Sequence, residues 1–360
     1  MAGRATSAHL TDVSTLTGPS ATAGEHAAYS RLMTDTTATA LVCTKPGDSS
    51  VLEVQEVQVS PPGPGEAQVQ VAAIGVNFID VYQRQGVYPM DTPFVTASEG
   101  AGTVTAVGEG VTEVAVGDRV AWAHHVGAGA TLVNRPVKDL VPVPDGLDLE
   151  TAAAAMLQGM TAHYLVNSTY AVGPGTVALV HAAAGGVGQL LVQMITAKGG
   201  KVIATAGSED KLEIARRLGA VAAINYRETD DLAAAVRKAN GGNGVDVAYD
   251  GVGKATFDAS LDSLRPRGML VLFGGASGQV PPFDLQRLNK AGSVYVTRPT
   301  LVNYTATREE LLERGESVLG DLAAGRLHLE IGGRYPLTEA ARAYDDLEAR
   351  RTTGKLLLIP

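Results

Sequence analysis

The strongest chemical signal in the sequence is a glycine-rich segment at residues 182–188, which reads AAAGGVG. It lies between an apolar run typical of a strand and a pattern typical of a helix. Without side chains at Gly185 and Gly186, the backbone can approach a diphosphate, and the N–H groups that begin the next helix carry partial positive charge. With Ala183, Gly185 and Gly188 in the three fingerprint positions, the spacing predicts a dinucleotide-binding turn rather than a turn used for packing alone.

The residues that follow indicate which dinucleotide is bound. A site that prefers NAD usually places Asp or Glu about 20 residues further on, where the carboxylate accepts from the ribose 2′-hydroxyl. Here Gly207 and Ser208 occupy that region, and Lys211 lies just downstream. Because a hydroxyl and a positive charge suit a 2′-phosphate, we expect NADPH as the cofactor. Taken alone, Lys211 could equally be an ordinary surface lysine.

Other reaction classes leave little trace. The nucleophilic-serine pattern GxSxG and the metalloprotease pattern HExxH are both absent from the sequence. The single cysteine, Cys43, allows neither an internal disulfide nor a four-thiolate zinc site. His124 and His125 are adjacent, and adjacent strand side chains point to opposite faces, so we interpret them as a loop or surface pair.

Composition limits the partners. Lys and Arg number 29 against 38 Asp and Glu, a net charge of −9, which repels nucleic acid and anionic membrane surfaces. No apolar run reaches the roughly 18 residues of a membrane span. A single cysteine suits a reducing compartment, so we expect a cytoplasmic protein that binds neither nucleic acid nor membrane. At 360 residues the chain is long enough for two domains.

Two kinds of element must position the glycine-rich turn. Short β-branched runs separated by glycine and proline, at 51–59, 68–74, 102–107 and 119–122, predict an antiparallel or barrel-like β domain. After an alanine-rich helix predicted at 149–170, strands alternate with helices. The strands are expected at 177–181, 201–205, 222–225, 245–249 and 269–273, and the helices at 187–198 and 210–218. This βαβ order favours a parallel sheet covered on both faces.

Near residue 300 the alternation stops, and one amphipathic helix is predicted at 308–322. The last segment is expected to return to the first domain. Residues 1–38, rich in Ala, Thr, Ser and Gly, are expected to form a disordered tail, because they carry too few large apolar side chains to offset the entropy of ordering.

Four further segments carry a resemblance to a known family. They read GVNFID at 75–80, INYRE at 224–228, YVTRP at 295–299 and LLLIP at 356–360. With the glycine-rich segment, they resemble the zeta-crystallin-like quinone oxidoreductases, which are zinc-free medium-chain dehydrogenases/reductases. The resemblance runs from about residue 39 to the end. It implies a GroES-like catalytic domain at 39–157, a Rossmann NADPH-binding domain with a doubly wound sheet at 158–298, a return to the catalytic domain at 299–360, and a homodimer.

The resemblance also implies the site residues. Four of them, Asn77, Tyr82, Tyr88 and Arg298, are expected beside the nicotinamide and the acceptor, although Tyr82 and Tyr88 could equally be packing residues of the cleft wall. The expected cofactor contacts are Asn77, Tyr82, Tyr164, Ala184, Gly185, Gly186, Val187, Gly207, Ser208, Lys211, Tyr226, Gly251, Phe273, Gly274, Gly275, Ser277, Val296, Thr297, Arg298 and Arg350. Related chains can carry polar residues at the positions of Gly251 and Gly275.

The same resemblance argues against catalytic zinc. Zinc-dependent relatives have Cys where this chain has Asn77 and His where it has Ser98, so two metal ligands are replaced by poor ones. Glu99 is retained, and we interpret it as a structural carboxylate. No metal is expected.

The reaction that we expect is reduction of a quinone by NADPH, with the acceptor held in the cleft next to the nicotinamide. An enone or enoyl reductase of the same superfamily is the enzymatic alternative. A non-catalytic NADPH-binding regulatory protein is the alternative from another class.

Overall fold

The computed structural model describes residues 35–360. The predicted tail, up to residue 34, therefore lies outside the described residues, and the first strand begins at Thr36, earlier than expected. The strands are β1 Thr36–Cys43, β2 Leu52–Val59, β3 Glu66–Val76, β4 Phe94–Val95, β5 Glu99–Val107, β6 Arg119–Trp122, β7 Leu132–Pro136, β8 Val141–Pro142, β9 Val177–Val180, β10 Lys201–Ala206, β11 Ala222–Asn225, β12 Val245–Asp250, β13 Leu264–Leu272, β14 Tyr295–Thr297, β15 Ile331–Pro336 and β16 Lys355–Ile359.

The helices lie between these strands. They are α1 Phe78–Arg84, α2 Leu149–Tyr164, α3 Gly186–Ala197, α4 Glu209–Arg217, α5 Leu232–Ala239, α6 Phe257–Asp262, α7 Gln286–Lys290, α8 Arg308–Ala323 and α9 Ala340–Glu348. Helix α2 ends before the predicted residue 170, because the chain changes to a wider π-type turn over Leu165–Thr169. Gly199 and Gly219 follow α3 and α4 with φ of 78° and 111°, a conformation that favours glycine and ends a helix.

The β-rich part contains two sheets. One has the order β2-β1-β4, and the other has the order β15-β16-β3-β5-β6-β8, with β7 paired to β3. Most of these pairs are antiparallel, as the short runs separated by turns predict. Strand β16, from the end of the chain, lies between β15 and β3 inside the larger sheet. The C-terminal segment thus returns to the first sheet system.

The second part is a six-stranded sheet with the order β11-β10-β9-β12-β13-β14. All of its pairs are parallel. Strands buried on both faces read as continuous apolar runs, which is why the sequence located β9, β10 and β12 to within about one residue. The edge strand β11 is only half-buried, and its predicted bounds also match. The strand order reverses next to β9, and ligands bind at such a switch point, outside the carboxyl ends of the strands.

Helix α2 joins the two parts. Its residues Ala152 to Ala155 are fully buried, and they belong to one apolar core that also contains Ala101 of the first part and Val180 of the second. The domain boundary expected after residue 157 falls within this continuous helix. Within residues 35–360, no helix combines the length and the apolar character that crossing a bilayer requires.

Candidate active site

The glycine-rich turn connects β9 to α3. Gly185 immediately precedes the helix in an extended conformation, φ −78° and ψ 169°. A Cβ atom built on Gly185 would have one described heavy atom within 4 Å, the Ala182 carbonyl oxygen at 3.2 Å. The other side of Gly185 is therefore open to a ligand. The first turn of α3 contains no acidic residue, so its N–H groups keep their partial positive charge.

Gly186 and Gly188 are small for another reason. A Cβ on Gly186 would overlap the side-chain oxygen of Gln158, and one on Gly188 would overlap the Ala182 carbonyl. These glycines make room for the protein itself rather than for a ligand. Ala184, on the strand side of these glycines, is buried, and its carbonyl accepts from Gln189 Nε2 at 2.9 Å. Val187, between the two glycines, is half-buried.

Several polar side chains surround the loop after β10. Ser208 immediately precedes α4, and Lys211 lies in the first turn of that helix. Lys211 Nζ donates to the Arg350 carbonyl at 2.9 Å. A Cβ on Gly207 would lie 2.5 Å from Tyr226 Oη, so the phenol packs directly over this glycine. The structure thus brings together the residues expected at the 2′-phosphate.

Arg227 also lies in this group, although the sequence analysis did not select it. Its Nε lies 3.2 Å from the position of a Cβ on Gly207. Burial lowers the pKa of Lys211, and the positive charges of Arg227 and Arg350 lower it further. Among the described residues, none of these three cations has a carboxylate within 4 Å. An anion such as a phosphate would be stabilised beside three cations that repel one another.

A cleft of about 610 Å³ separates α1 from the loops that follow β13 and β14. Its aromatic wall comes from α1 and the segment after it: the rings of Tyr82 and Tyr88 meet edge to face at 5.6 Å, and Phe78 lies 6.3 Å from Tyr82. Arg298 lines the opposite side. A flat, partly polar molecule fits between an aromatic wall and a guanidinium group.

One hydrogen bond connects two residues that line this cleft. The Gly275 backbone N–H donates to Tyr82 Oη at 3.2 Å. Burial raises the pKa of Tyr82, so the phenol stays protonated, and its hydrogen remains available to a third group. The contact joins the β-rich part of the chain to the parallel sheet.

The loop after β13 supplies the remaining wall. Gly274 packs so closely on Gly251 that a Cβ would overlap the Gly251 carbonyl, and the Phe273 ring lies 2.9 Å from the position of a Cβ on Gly251. Ser277 Oγ donates to the Val252 carbonyl at 2.7 Å, so this side chain holds its own loop. Arg350 Nη2 donates to the Ala276 carbonyl at 3.4 Å and connects the loop to the cationic group of Lys211, Arg227 and Arg350.

Asn77 belongs to a buried polar cluster that the sequence did not reveal. Its side-chain Oδ1 accepts from Lys355 Nζ at 2.6 Å, and its Nδ2 donates to Glu99 Oε2 at 2.7 Å and to the Gly75 carbonyl at 3.3 Å. Lys355 and Glu99 form an ion pair at 2.5 Å whose side chains have no exposed area. Both amide hydrogens of Asn77 are therefore engaged, and the residue offers no free donor to an acceptor in the cleft.

Glu99 has a third partner, the Leu157 N–H of α2, which donates to its second oxygen at 2.6 Å. The carboxylate thus binds an ammonium, an amide and a backbone N–H. Ser98 is buried beside it.

The two adjacent histidines contact other residues than this cluster. His124 Nε2 lies 3.0 Å from Thr305 Oγ1, and His125 Nε2 lies 3.1 Å from Asp139 Oδ2. Residues 35–360 contain no group of three His, Cys, Asp or Glu placed to hold a metal ion.

Three expected contacts, Tyr164, Val296 and Thr297, lie outside the lining of the cleft. Tyr164 is 1% exposed, and Tyr304 stacks on it with a centroid distance of 4.2 Å and an interplanar angle of 9°. Burial raises the pKa of Tyr164. Val296 and Thr297 belong to β14, the edge strand of the parallel sheet, which pairs with β13. The sequence analysis did not predict that Tyr304 would contact Tyr164.

Comparisons with known proteins agree with this architecture. The family model for the alcohol dehydrogenase GroES-like domain matches residues 63–176, and the model for zinc-binding dehydrogenases matches residues 186–316. A quinone oxidoreductase of Pseudomonas aeruginosa is 46% identical over 316 residues, which cover 87% of this chain and 97% of that protein. A 2-haloacrylate reductase of Burkholderia sp. is 42% identical over 329 residues, which cover 89% and 98% of the two chains.

A solved structure of Escherichia coli quinone oxidoreductase complexed with NADPH superimposes with a TM-score of 0.87 at 41% identity, covering 89% of this chain and 100% of that one. A GroES-like domain joined to a dinucleotide-binding domain defines an oxidoreductase of the medium-chain dehydrogenase/reductase class. This chain belongs to the quinone oxidoreductase family. The resemblance and the two-part α/β fold expected from the sequence are thereby confirmed.

Proposed function

We propose that this chain is an NADPH-dependent quinone reductase. The observation that carries the proposal is the Tyr82 hydroxyl in the cleft, which accepts from Gly275 N–H at 3.2 Å and donates to no other group among the described residues. The E. coli relative that was solved with NADPH supports the choice of cofactor. So does the chain itself, because Gly185 is open toward a ligand and the cationic group of Lys211, Arg227 and Arg350 has no carboxylate partner among the described residues.

The residues present fit the cofactor. Gly185 and the start of α3 would hold the diphosphate, and the cationic group would hold the 2′-phosphate. Backbone of the loop from Phe273 to Ser277 would flank the nicotinamide. When bound, NADPH supplies the hydride.

The side chains of the cleft orient and protonate the acceptor. Tyr82 holds a proton at Oη, directed away from Gly275, and donates a hydrogen bond to the acceptor oxygen on which charge develops. Arg298 adds a positive charge to the same cleft, and Tyr88 and Phe78 pack against the acceptor ring. Asn77 fixes the start of α1, the helix that carries Tyr82, since its backbone N–H donates to Asp80 Oδ2 at 2.9 Å.

The reaction in this proposal uses no zinc. The place of two ligands in zinc-dependent relatives is taken by Asn77 and Ser98, and both are weak donors to zinc. The Lys355 ammonium lies 2.5 Å from Glu99 Oε2 and 2.6 Å from Asn77 Oδ1, so a cation already occupies the position at which these oxygens converge. A metal ion would have to displace it.

An activated alkene is the second candidate acceptor. The observation that favours it is the 42% identity with the 2-haloacrylate reductase of Burkholderia sp.. The chemistry is related, since an acceptor conjugated to a carbonyl or carboxylate also develops negative charge on oxygen, where Tyr82 would donate.

Turnover assays separate these functions. Oxidation of NADPH, followed by absorbance, is measured with 1,4-benzoquinone, with 2-cyclohexenone and with 2-chloroacrylate as acceptors. We expect the largest kcat/KM with the quinone. A larger value with either alkene would assign the chain to the reductases of activated double bonds. Binding of NADPH without turnover of any acceptor would leave only the non-catalytic, regulatory role.

The proposal includes a cytoplasmic homodimer. Strand β14 is an edge of the parallel sheet, and Tyr295 and Val296 on it are 59% and 36% exposed, with Val302 nearby in sequence at 57%. Exposed strand edges with large apolar side chains tend to pair with another chain. Light scattering should give twice the monomer mass, and Tyr295→Asp should reduce it. A monomer mass for the unaltered protein would remove the dimer from the proposal.

A further inference from the structure

A buried chain of hydrogen bonds lies beneath the predicted cofactor loops. It joins Thr205, His181, Ser260 and Asp250, each of which is at most 2% exposed. His181 Nδ1 lies 2.9 Å from Thr205 Oγ1, and its Nε2 lies 2.9 Å from Ser260 Oγ. Ser260 Oγ in turn donates to Asp250 Oδ2 at 2.7 Å. Nothing in the proposed reaction uses these groups.

The donor and the acceptor of each of these hydrogen bonds follow from the chemistry of the four side chains. The hydrogen of Ser260 goes to the Asp250 carboxylate, so its oxygen can only accept from His181. His181 Nε2 therefore carries the hydrogen, and its Nδ1 accepts from the Thr205 hydroxyl. Burial lowers the pKa of His181, in agreement with a neutral ring. In a hydrolytic triad the serine would instead donate to the histidine, and the serine would be exposed. These four residues therefore do not activate a nucleophile.

Three of the four residues lie at the carboxyl ends of three neighbouring parallel strands, and Ser260 lies in α6. Asp250 ends β12, Thr205 lies next to the end of β10, and His181 follows β9. This edge of the sheet is the one at which nucleotides bind. A loop with predicted cofactor residues follows each strand end: Ala184 and Gly185 after β9, Gly207 and Ser208 after β10, and Gly251 after β12.

Asp250 extends the connection into the third loop. Its Oδ1 accepts from the backbone N–H groups of Val252 at 2.8 Å and Gly253 at 3.0 Å, and Thr256 Oγ1 donates to both carboxylate oxygens. The Val252 carbonyl accepts in turn from Ser277. The carboxylate thus fixes the loop that meets Gly274 and Gly275 at the cleft.

We propose that the chain Thr205–His181–Ser260–Asp250 is a positioning device that holds the three cofactor loops at one spacing, so that the dinucleotide binds to a preformed site. Ser260 is its central member, because its hydroxyl is the only link between His181 and Asp250 in the described contacts. The inference rests on the proposed function, since it concerns the same cofactor. It assigns a role to residues outside the cofactor contacts expected from the sequence.

The test compares two serines of the same helix end. Ser260→Ala breaks the chain, whereas Ser263→Ala removes a hydroxyl that is also fully buried but donates only to the Ala259 carbonyl at 2.7 Å. We expect Ser260→Ala to raise the Kd for NADPH, measured by fluorescence titration, about tenfold, and Ser263→Ala to change it less than twofold. At saturating NADPH, kcat of both variants should stay within twofold of the unaltered enzyme, because the loops and not the reacting groups are displaced.

Thr205→Val is a second variant of nearly equal volume that removes the hydrogen received by His181. It should raise the Kd in the same way. Hydrogen–deuterium exchange without cofactor gives an independent measurement: the amides of residues 181–186 and 250–253 should exchange faster in Ser260→Ala than in Ser263→Ala.

Each failure has a separate meaning. Unchanged exchange in Ser260→Ala would overturn the connection between the loops. Faster exchange with an unchanged Kd would overturn its role in cofactor binding. An unaltered protein that does not bind NADPH would refute the proposed function, and with it this use of the loops.

Discussion

The Lys355 ammonium lies 2.5 Å from Glu99 Oε2, and neither side chain has any exposed area. Removing one partner of such a pair leaves an uncompensated buried charge. We therefore expect Lys355→Met to lower the free energy of unfolding by about 3–5 kcal/mol in urea denaturation. The double variant with Glu99→Gln should recover part of that loss. Arg334→Ala is the control, since its pair with Glu150 is largely exposed and should cost less than about 1 kcal/mol.

Gly185 offers a test of the cofactor site that leaves the fold intact. Its backbone conformation suits any residue, and a Cβ would meet only the Ala182 carbonyl, at 3.2 Å. Gly185→Val should therefore lower the melting temperature only slightly, since the Ala182 carbonyl has to shift by a few tenths of an ångström, but should raise the Kd for NADPH by at least about a hundredfold, because the side chain fills the space of the diphosphate. Gly173→Val, at a glycine with nothing within 4 Å, is the control. Normal NADPH fluorescence with Gly185→Val would contradict the assignment.

The cationic group should select the 2′-phosphate. Lys211→Ala or Arg227→Gln should weaken NADPH about tenfold, since each removes a charge-assisted contact, and should change the Kd for NADH less than twofold. Lys238→Ala, an exposed lysine of α5, should affect neither. Equal losses for both nucleotides would mean that these side chains do not contact the 2′-phosphate.

Tyr82 should act on the reaction rather than on cofactor binding. Tyr82→Phe keeps the aromatic wall but removes the donor to the acceptor oxygen, so kcat with 1,4-benzoquinone should fall about 10- to 100-fold while the Kd for NADPH stays within about threefold. Tyr170→Phe is the matched control, because Tyr170 is also half-buried but does not line the cleft. An unchanged kcat for Tyr82→Phe would remove the residue from the mechanism.

Asp80 makes stability depend on pH. Burial raises its pKa to about 7, although Asn77 N–H, Lys355 and Tyr344 favour the charged form. Between the unfolded value near 4 and about 7, the folded state binds more protons than the unfolded state, so stability falls as pH rises through this window. Asp80→Asn can still accept from Asn77 N–H and Tyr344 Oη. It should flatten this slope, with a gain of about 3 kcal/mol at pH 8 in urea denaturation. The same slope in both proteins would contradict the raised pKa.

The sequence predicted the parallel sheet better than the site. Strands such as β9 are buried on both faces, so their apolar runs are continuous and their positions could be predicted. Helix α1 was missed, because seven residues between a strand and a turn carry too little periodicity. The Lys355 partnership could not be predicted either. Lysine is normally a surface residue, and its partner Glu99 is 256 positions away in the chain.

Among the site residues, too, those in local sequence motifs could be predicted, and those that depend on distant partners could not. Gly185, Lys211 and Tyr226 belong to local motifs, and the structure places them after β9, β10 and β11, at the carboxyl edge of the parallel sheet. Asn77 was expected beside the nicotinamide and the acceptor, but its amide hydrogens are engaged by Glu99 and Gly75, groups brought near by tertiary folding. Ser260 and His181 have no recognisable spacing, because three strands separated in sequence bring them together.

The place of β16 within the larger sheet has a consequence for biosynthesis. The parallel sheet is built from one uninterrupted stretch of chain, β9 to β14, and can form while translation continues. The β-rich part must wait, because β15 and β16 complete its sheet and β16 supplies the only cation paired with Glu99 in the described residues. Glu99 is thus translated early, and the lysine that pairs with its carboxylate is among the last residues to be translated. A nascent chain that is stalled or cleaved before Lys355 would hold a folded nucleotide-binding half beside an open sheet edge, which quality-control proteases can recognise.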